Sequence, residues 1–282
     1  MRPADGALAM DAALPVPAPH ARPTDRPAQP TLEVEQLCVR FGGLAALTEV
    51  GFRLHRGQVV GLIGPNGAGK TTLVNCLSGY QRPSSGAVRL AGADTTGWSP
   101  ARLRRAGVAR TFQAGRLFAG LTVAENVEAG LLGLGLGRRE AAVQVRAMLQ
   151  LLELTADAGR LAGTLPYTAA RTVSIARALV QSPAFLLLDE PAAGMSDSES
   201  AQLGAFIATL PARFGCGVLL IEHNMALIDR VSERIHVLDG GRSLADGTPA
   251  QIRANPAVAA AYLGAAADSG AQPAMEDMPC ST

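Results

Sequence analysis

Apolar and polar side chains alternate from Leu32 through Val34, Leu37, Val39 and Phe41, with Cys38 and Arg40 between, which predicts a β-strand ended by Gly42-Gly43. A short strand over Gly51 to Leu54, the turn His55-Arg56-Gly57 and a buried strand over Gln58 to Ile63 follow, then a helix over Thr72 to Leu77. Ala87 to Leu90, after Pro83-Ser84-Ser85-Gly86, is a further strand. Ser99 with Pro100 behind it predicts a capped helix through Arg105, and Val108 to Phe112 is strand-like. Thr122 caps a helix over Val123 to Val127, and Val145, Met148, Leu149 and Leu152 recur at helical spacing between Arg138 and Leu152. Beyond them come a helix over Ala169 to Gln181 and the apolar strand Phe185 to Leu188, which ends in Asp189-Glu190. A helix over Gln202 to Leu210 leads to the strand Val218 to Ile221, which ends in Glu222-His223.

Strands that are apolar on both faces and alternate with helices predict a parallel sheet covered on both sides, so the fold class is α/β. The strands around residues 32–54 and 87–90 predict an antiparallel β subdomain beside that core, and residues about 95–182 an inserted helical subdomain. In such sheets ligands bind at the carboxyl ends of the strands, where Gly64, Asp189 and His223 all fall. Residues 1–30 hold seven prolines among alanines and few large apolar groups, so they are read as a disordered extension without a continuous signal-peptide core. The domain then spans residues 31–264, and residues 265–282, small and polar, form a disordered tail.

Composition narrows the chemistry. With 48% hydrophobic and 17% charged residues, 282 residues can bury a full core. A net charge of +1 gives no general pull toward nucleic acid or an anionic membrane. Cys38, Cys76, Cys216 and Cys280 lack metal-ligand or redox spacing, and the first three are expected to be buried as small hydrophobes in a reducing compartment. The most apolar run, Ala129 to Gly137, is too short to span a bilayer.

The stretch Gly64-Pro65-Asn66-Gly67-Ala68-Gly69-Lys70-Thr71-Thr72 matches G-x-x-x-x-G-K-[ST] at every fixed position and stands between a strand and a helix, as a phosphate-binding loop requires. The glycines admit backbone N–H groups close to a triphosphate, and the helix start adds its positive end. Lys70 would reach the β- and γ-phosphates, and the Thr71 hydroxyl would bind the bridging Mg²⁺. The competing reading is a glycine-rich turn. Asp189 would hold the Mg²⁺ through water, Glu190 would take a proton from an attacking water, and His223 could reach the γ-phosphate. Singly, Asp-Glu-Pro also ends ordinary strands, and a lone His after a strand is more often a surface residue.

At this point the sequence resembles the ATP-binding subunits of ABC transporters over nearly all of Leu32 to Gly264, and among them the subunit serving branched-chain amino acid uptake. The resemblance rests on Phe41-Gly42-Gly43-Leu44, the loop at 64–72, Arg110-Thr111-Phe112-Gln113, Arg116-Leu117-Phe118, Leu121 to Val127, Leu188 to Gly194, Ile221 to Met225, Gly247-Thr248-Pro249 and Ala261 to Gly264. It implies a P-loop NTPase core with ATP and Mg²⁺ as ligands. It also implies that Phe41 stacks on adenine, that Gln113 senses Mg²⁺ and the attacking water while its loop meets the membrane partner, and that His223 is the switch histidine. For Phe41 the alternative is a core aromatic at a strand end.

In the family, ATP is sandwiched between one subunit's phosphate loop and the partner's signature segment, Leu-Ser-Gly-Gly-Gln or, in this branch, Leu-Pro-Tyr-Gly followed by glutamines. Here Leu165-Pro166-Tyr167-Thr168-Ala169-Ala170 stands in its place, with Thr168 where Gly is expected and alanines where amides are expected. Met195-Ser196-Asp197 likewise replaces Leu-Asn-Pro in the loop that crosses the dimer. The resemblance implies an ATPase energising an importer, peripheral to the cytoplasmic side of the inner membrane, with permease subunits and, indirectly, a periplasmic solute-binding protein as partners. The degenerate signature favours a heterodimer with a second ATP-binding subunit over a homodimer. The alternatives are an ATP-binding subunit of a lipid or lipopolysaccharide exporter and a weakly hydrolysing regulatory ATP-binding protein.

Overall fold

The computed structural model describes residues 31–112 and 117–269. The expectations for residues 1–30, Gln113 and Cys280, and for the tail beyond Ser269, lie outside the described residues. In chain order the first elements are β1 (Thr31–Phe41), β2 (Leu44–His55), β3 (Val59–Ile63), α1 (Lys70–Leu77), β4 (Ser85–Leu90), β5 (Ala93–Asp94), α2 (Pro100–Arg105) and β6 (Val108–Arg110). Then come α3 (Val123–Glu128), α4 (Arg138–Leu151), α5 (Tyr167–Leu179), β7 (Phe185–Asp189), α6 (Asp197–Phe214), β8 (Gly217–Ile221) and α7 (Met225–Val231). The described chain closes with β9 (Arg234–Asp239), β10 (Arg242–Gly247), α8 (Pro249–Arg253) and α9 (Pro256–Ser269).

Two sheets result. The first is antiparallel, in the order β2-β1-β4-β5, and the second runs β10-β9-β3-β8-β7-β6 with every pair parallel except β10 on β9. Strands β3, β7 and β8 are buried at every position, and their period of two divides their side chains between two cores. Val60, Leu62, Phe185, Leu187, Leu219 and Ile221 face the antiparallel layer. Val59, Ile63, Leu186, Leu188, Val218 and Leu220 join a second core with the helices. Because both faces are covered, the carboxyl ends of these strands are where functional side chains can emerge.

Several boundaries differ from the sequence pattern for identifiable reasons. Strand β2 starts at Leu44 rather than Gly51, because register shifts against β1 and a left-handed Glu49 (φ 52°) interrupt the alternation. Val108–Arg110 pairs in parallel with β7 as an edge strand of the second sheet, so a strand of the main sheet lies within the stretch 95–182 expected to be helical. Helix α6 starts at Asp197, where Ser196 and Glu199 form a reciprocal capping box, so the Ser196 that departs from the family wording is a helix cap. Helix α9 continues past 264 to Ser269. The elements after His223, from α7 to α8, were not read from the pattern, although Asn224 caps α7 and Thr248 with Gln251 boxes α8.

Cys76 and Cys216 are buried, and burial pushes their thiols up to about 12 and about 11. Cys38 is only half-buried, correcting the expectation, and its Sγ accepts the Glu49 N–H at 3.3 Å. No helix among the described residues is long and apolar enough to cross a membrane.

Candidate functional site

Strand β3 ends at Ile63 and α1 begins at Lys70, so residues 64–69 form the turn between them. Gly64, Gly67 and Gly69 have φ of 149°, 81° and 99°, a region that L side chains rarely enter. A Cβ on Gly64 would lie 2.0 Å from the Leu238 carbonyl oxygen, and one on Gly69 would lie 2.7 Å from Leu47 Cδ2 and 2.8 Å from the Ala46 oxygen. Gly67 has open space around it. Two of the three glycines are thus demanded by the protein's own packing, and only Gly67 leaves the turn open in the way a ligand needs.

The Lys70 ammonium donates to the carbonyls of Gly64 at 2.6 Å and Pro65 at 3.0 Å, which bends the loop over it. Burial lowers its pKa, and the Glu190 carboxylate acts in the opposite direction. The first turn of α1 has no side-chain cap, so its N–H groups stay available to an anion. Ala68 is buried and its N–H is already given to the Pro65 oxygen. Asn66, Gly67, Thr71 and Thr72 line a cleft of about 550 Å³ together with Phe41, Glu190 and His223. Phe41 is 49% exposed at the end of β1 and so is no core aromatic.

The acidic strand ends are differently committed. Arg110 donates to Asp189 Oδ2 at 2.7 Å and to Asn75 Oδ1 at 2.6 Å, and the Asp189 N–H donates to Thr111 Oγ1. Asp189 does not line the cleft and is bound to an arginine 79 positions away in the chain. Glu190 does line it, and its Oε1 lies 3.1 Å from His223 Nε2. An ionised carboxylate only accepts, so Nε2 carries the proton in this contact. Glu222, the buried last residue before His223, was not read as a site residue; its signal was an acidic side chain at the carboxyl end of an apolar strand.

The signature segment lies elsewhere. Pro166 is the N-cap of α5 and offers no side-chain bond, while Tyr167, Thr168 and Ala169 form its first turn. The Tyr167 hydroxyl accepts from Arg171 and donates to the Ala193 carbonyl in the turn that follows Glu190. Thr168 lines a small hollow of about 130 Å³ with Met195 and Glu199. Pro166, Tyr167, Thr168 and Ala169 do not line the cleft of their own chain.

Comparison with known proteins points to one family. Residues 47–193 match the ABC transporter family, and residues 242–268 match the branched-chain amino acid ATP-binding cassette transporter family. The chain is 45% identical over 253 residues to the high-affinity branched-chain amino acid transport ATP-binding protein BraF of Pseudomonas aeruginosa, covering 84% of this chain and 99% of BraF. It is 43% identical, with the same coverage, to LivG of Escherichia coli K12, which carries the same description. Among solved structures, the ADP conformation of MJ1267, an ATP-binding cassette of an ABC transporter, superposes with a TM-score of 0.76 at 28% identity, covering 84% of this chain and 100% of that one. The P-loop α/β core, the cleft at its strand ends and these matches together establish that the chain belongs to the ABC transporter family, as one of its ATP-binding, ATP-hydrolysing subunits.

Proposed function

We propose that this chain hydrolyses ATP to drive an importer of branched-chain amino acids or related small solutes. One observation carries the mechanism: the phosphate loop, Phe41, Glu190 and His223 come from separate parts of the chain and line one cleft. Phe41 stacks on adenine as an exposed apolar platform at the mouth of that cleft. The N–H groups of Gly67, Gly69, Lys70, Thr71 and Thr72 cradle the phosphates, and Lys70 releases its carbonyl partners to pair with the β- and γ-oxygens. Asn66 borders the same cleft, while Gly64 and Pro65 hold Lys70 from behind.

A Mg²⁺ bound with the nucleotide would neutralise charge on the β- and γ-phosphates. The Thr71 hydroxyl in the cleft suits a hard cation, while Asp189, outside the cleft lining and with Oδ2 taken by Arg110, would act on the ion only through water. Glu190 takes the proton of the attacking water. His223, holding that carboxylate at 3.1 Å, steers it and turns its Nε2–H hydrogen bond to the γ-phosphate when ATP is present, keeping its proton. Gln113 completes the set as the sensor of Mg²⁺ and water.

The cargo reading rests on BraF and LivG, both named for branched-chain amino acid transport, and on the matching segment at 242–268. The chain would work at the cytoplasmic face of the inner membrane, bound to permease subunits supplied by a periplasmic solute-binding protein. Pro166 to Ala169 do not line their own cleft, which supports their contacting the ATP of a second cassette, with the uncapped start of α5 presented to the γ-phosphate. Thr168 and Ala169 weaken that contact, which favours a different, better-equipped subunit as the partner.

The test is Glu190→Gln in the full chain. Turnover should fall by about 100-fold or more while nucleotide binding persists, and leucine uptake by cells that depend on this chain should stop. Wild-type turnover in the variant would exclude Glu190 as the base. Leucine uptake unaffected by loss of turnover would exclude the cargo.

A further inference from the structure

The backbone at Glu190 is unusual. Its φ of 46° puts a non-glycine residue in the left-handed region, a strained state that persists only where its surroundings over-determine it. Among the bonds around it, the Glu190 N–H donates to the Ile221 carbonyl at 3.0 Å, the Ala193 N–H donates to the Glu190 carbonyl at 3.3 Å, and the Ala192 N–H donates to Glu222 Oε1 at 2.7 Å. The Tyr167 hydroxyl also donates to the Ala193 carbonyl in this turn, and the Glu222 carboxylate is the side chain that links the turn's backbone to the end of β8. The other oxygen of the same carboxylate, Oε2, accepts the His223 N–H at 3.2 Å.

Glu222 is 4% exposed at the end of β8 and forms no salt bridge among the described residues. Burial and the nearby Glu190 charge push its carboxyl pKa up, and the N–H groups of Ala192, His223 and Asn224 pull it back. A core-filling role would be served better by an apolar residue of similar volume, because a buried carboxylate is costly unless its donors need it. What a carboxylate supplies here is two acceptor oxygens for two segments at once. A carboxamide has one, and would turn its NH₂ against the remaining N–H.

We infer that Glu222 is a positioning residue for ATP hydrolysis, whose carboxylate ties the left-handed turn carrying Glu190 to the backbone of His223 and so keeps base and switch histidine in register. The inference rests on the reading of Glu190 as the base. It assigns Glu222 no contact with nucleotide, so its loss should leave binding intact and misplace the chemistry.

The experiment compares Glu222→Gln, Glu222→Leu and Glu190→Gln in the full chain, measuring kcat and KM for ATP together with amide hydrogen exchange. Glu222→Gln is close to isosteric and carries the test if the leucine variant folds poorly. The expected result is a fall in kcat of about 10- to 100-fold with KM within about twofold, and faster exchange across residues 190–194 with the phosphate loop unchanged. A kcat within about twofold of the parent, in a preparation that Glu190→Gln inactivates, overturns the inference. A loss expressed mainly in KM overturns it as well, since it would mean that Glu222 serves binding. Turnover surviving Glu190→Gln removes the base reading, and the role assigned to Glu222 falls with it.

Discussion

At the scale of single residues the phosphate loop separates two demands that one motif merges. Gly64 sits where a Cβ would press to 2.0 Å on the Leu238 carbonyl of the neighbouring strand, whereas Gly67 has only its φ of 81° to require glycine. Gly64→Ala should therefore destabilise the chain by about 2–4 kcal/mol, since the β3 end must part from β9, and Gly67→Ala by only about 1–2 kcal/mol. Urea unfolding of both variants checks this, and equal costs would refute the steric account. The motif was fully legible in the sequence. Which glycine answers to the ligand and which to the fold was not, because Leu238, Ala46 and Leu47 come from other parts of the chain.

At the scale of elements, polar side chains placed at helix starts mark where α2, α3, α6, α7 and α8 begin. Thr122 and Glu125 box α3, and Asn126, with no exposed surface, binds the chain that precedes that helix. Its Nδ2 donates to the carbonyls of Phe118, Leu121 and Thr122, and its Oδ1 accepts the Phe118 N–H at 2.9 Å. Phe118 is thereby held at a groove that also contains Tyr80, Arg104, Arg110 and Arg177. Asn126→Ala should cost about 2–3 kcal/mol, the penalty of leaving buried backbone groups unpaired, seen as a lower urea midpoint with an unchanged slope. A loss within about 0.5 kcal/mol would mean that the segment holds itself in place. The helix over Val123 to Val127 was readable from its cap and apolar spacing, but the bonds of Asn126 to residues before the helix were not.

At the scale of the molecule, the cleft and the signature segment are separate, since Pro166 to Ala169 are not among the residues that line it. Tyr167 joins the two, because its hydroxyl binds the Ala193 carbonyl three residues beyond Glu190. A change in the signature therefore bears on its own chain's site, besides the partner site proposed for it. Thr168→Gly should raise the ATPase rate of the purified chain by about tenfold, by removing a Cβ between helix start and phosphate. Equal, vigorous turnover with Thr168 and with glycine would show that the residue is no obstacle. A small effect on a slow rate would be expected only if the second cassette supplies the working signature.

By itself the sequence determined the α/β class, the phosphate loop, the strand-end residues Asp189, Glu190 and His223, and the departures in the signature, because each is written in contiguous residues with a fixed local geometry. Tertiary structure decided the rest. It drew Val108–Arg110 into the main sheet and gave Asp189 to Arg110. It also set Glu222 between the Ala192 and His223 amides. Apart from the Glu222 bond to its neighbour His223, these contacts join residues about 30 to 80 positions apart, where chain closure leaves no local trace in the pattern and only the packed core selects the partner.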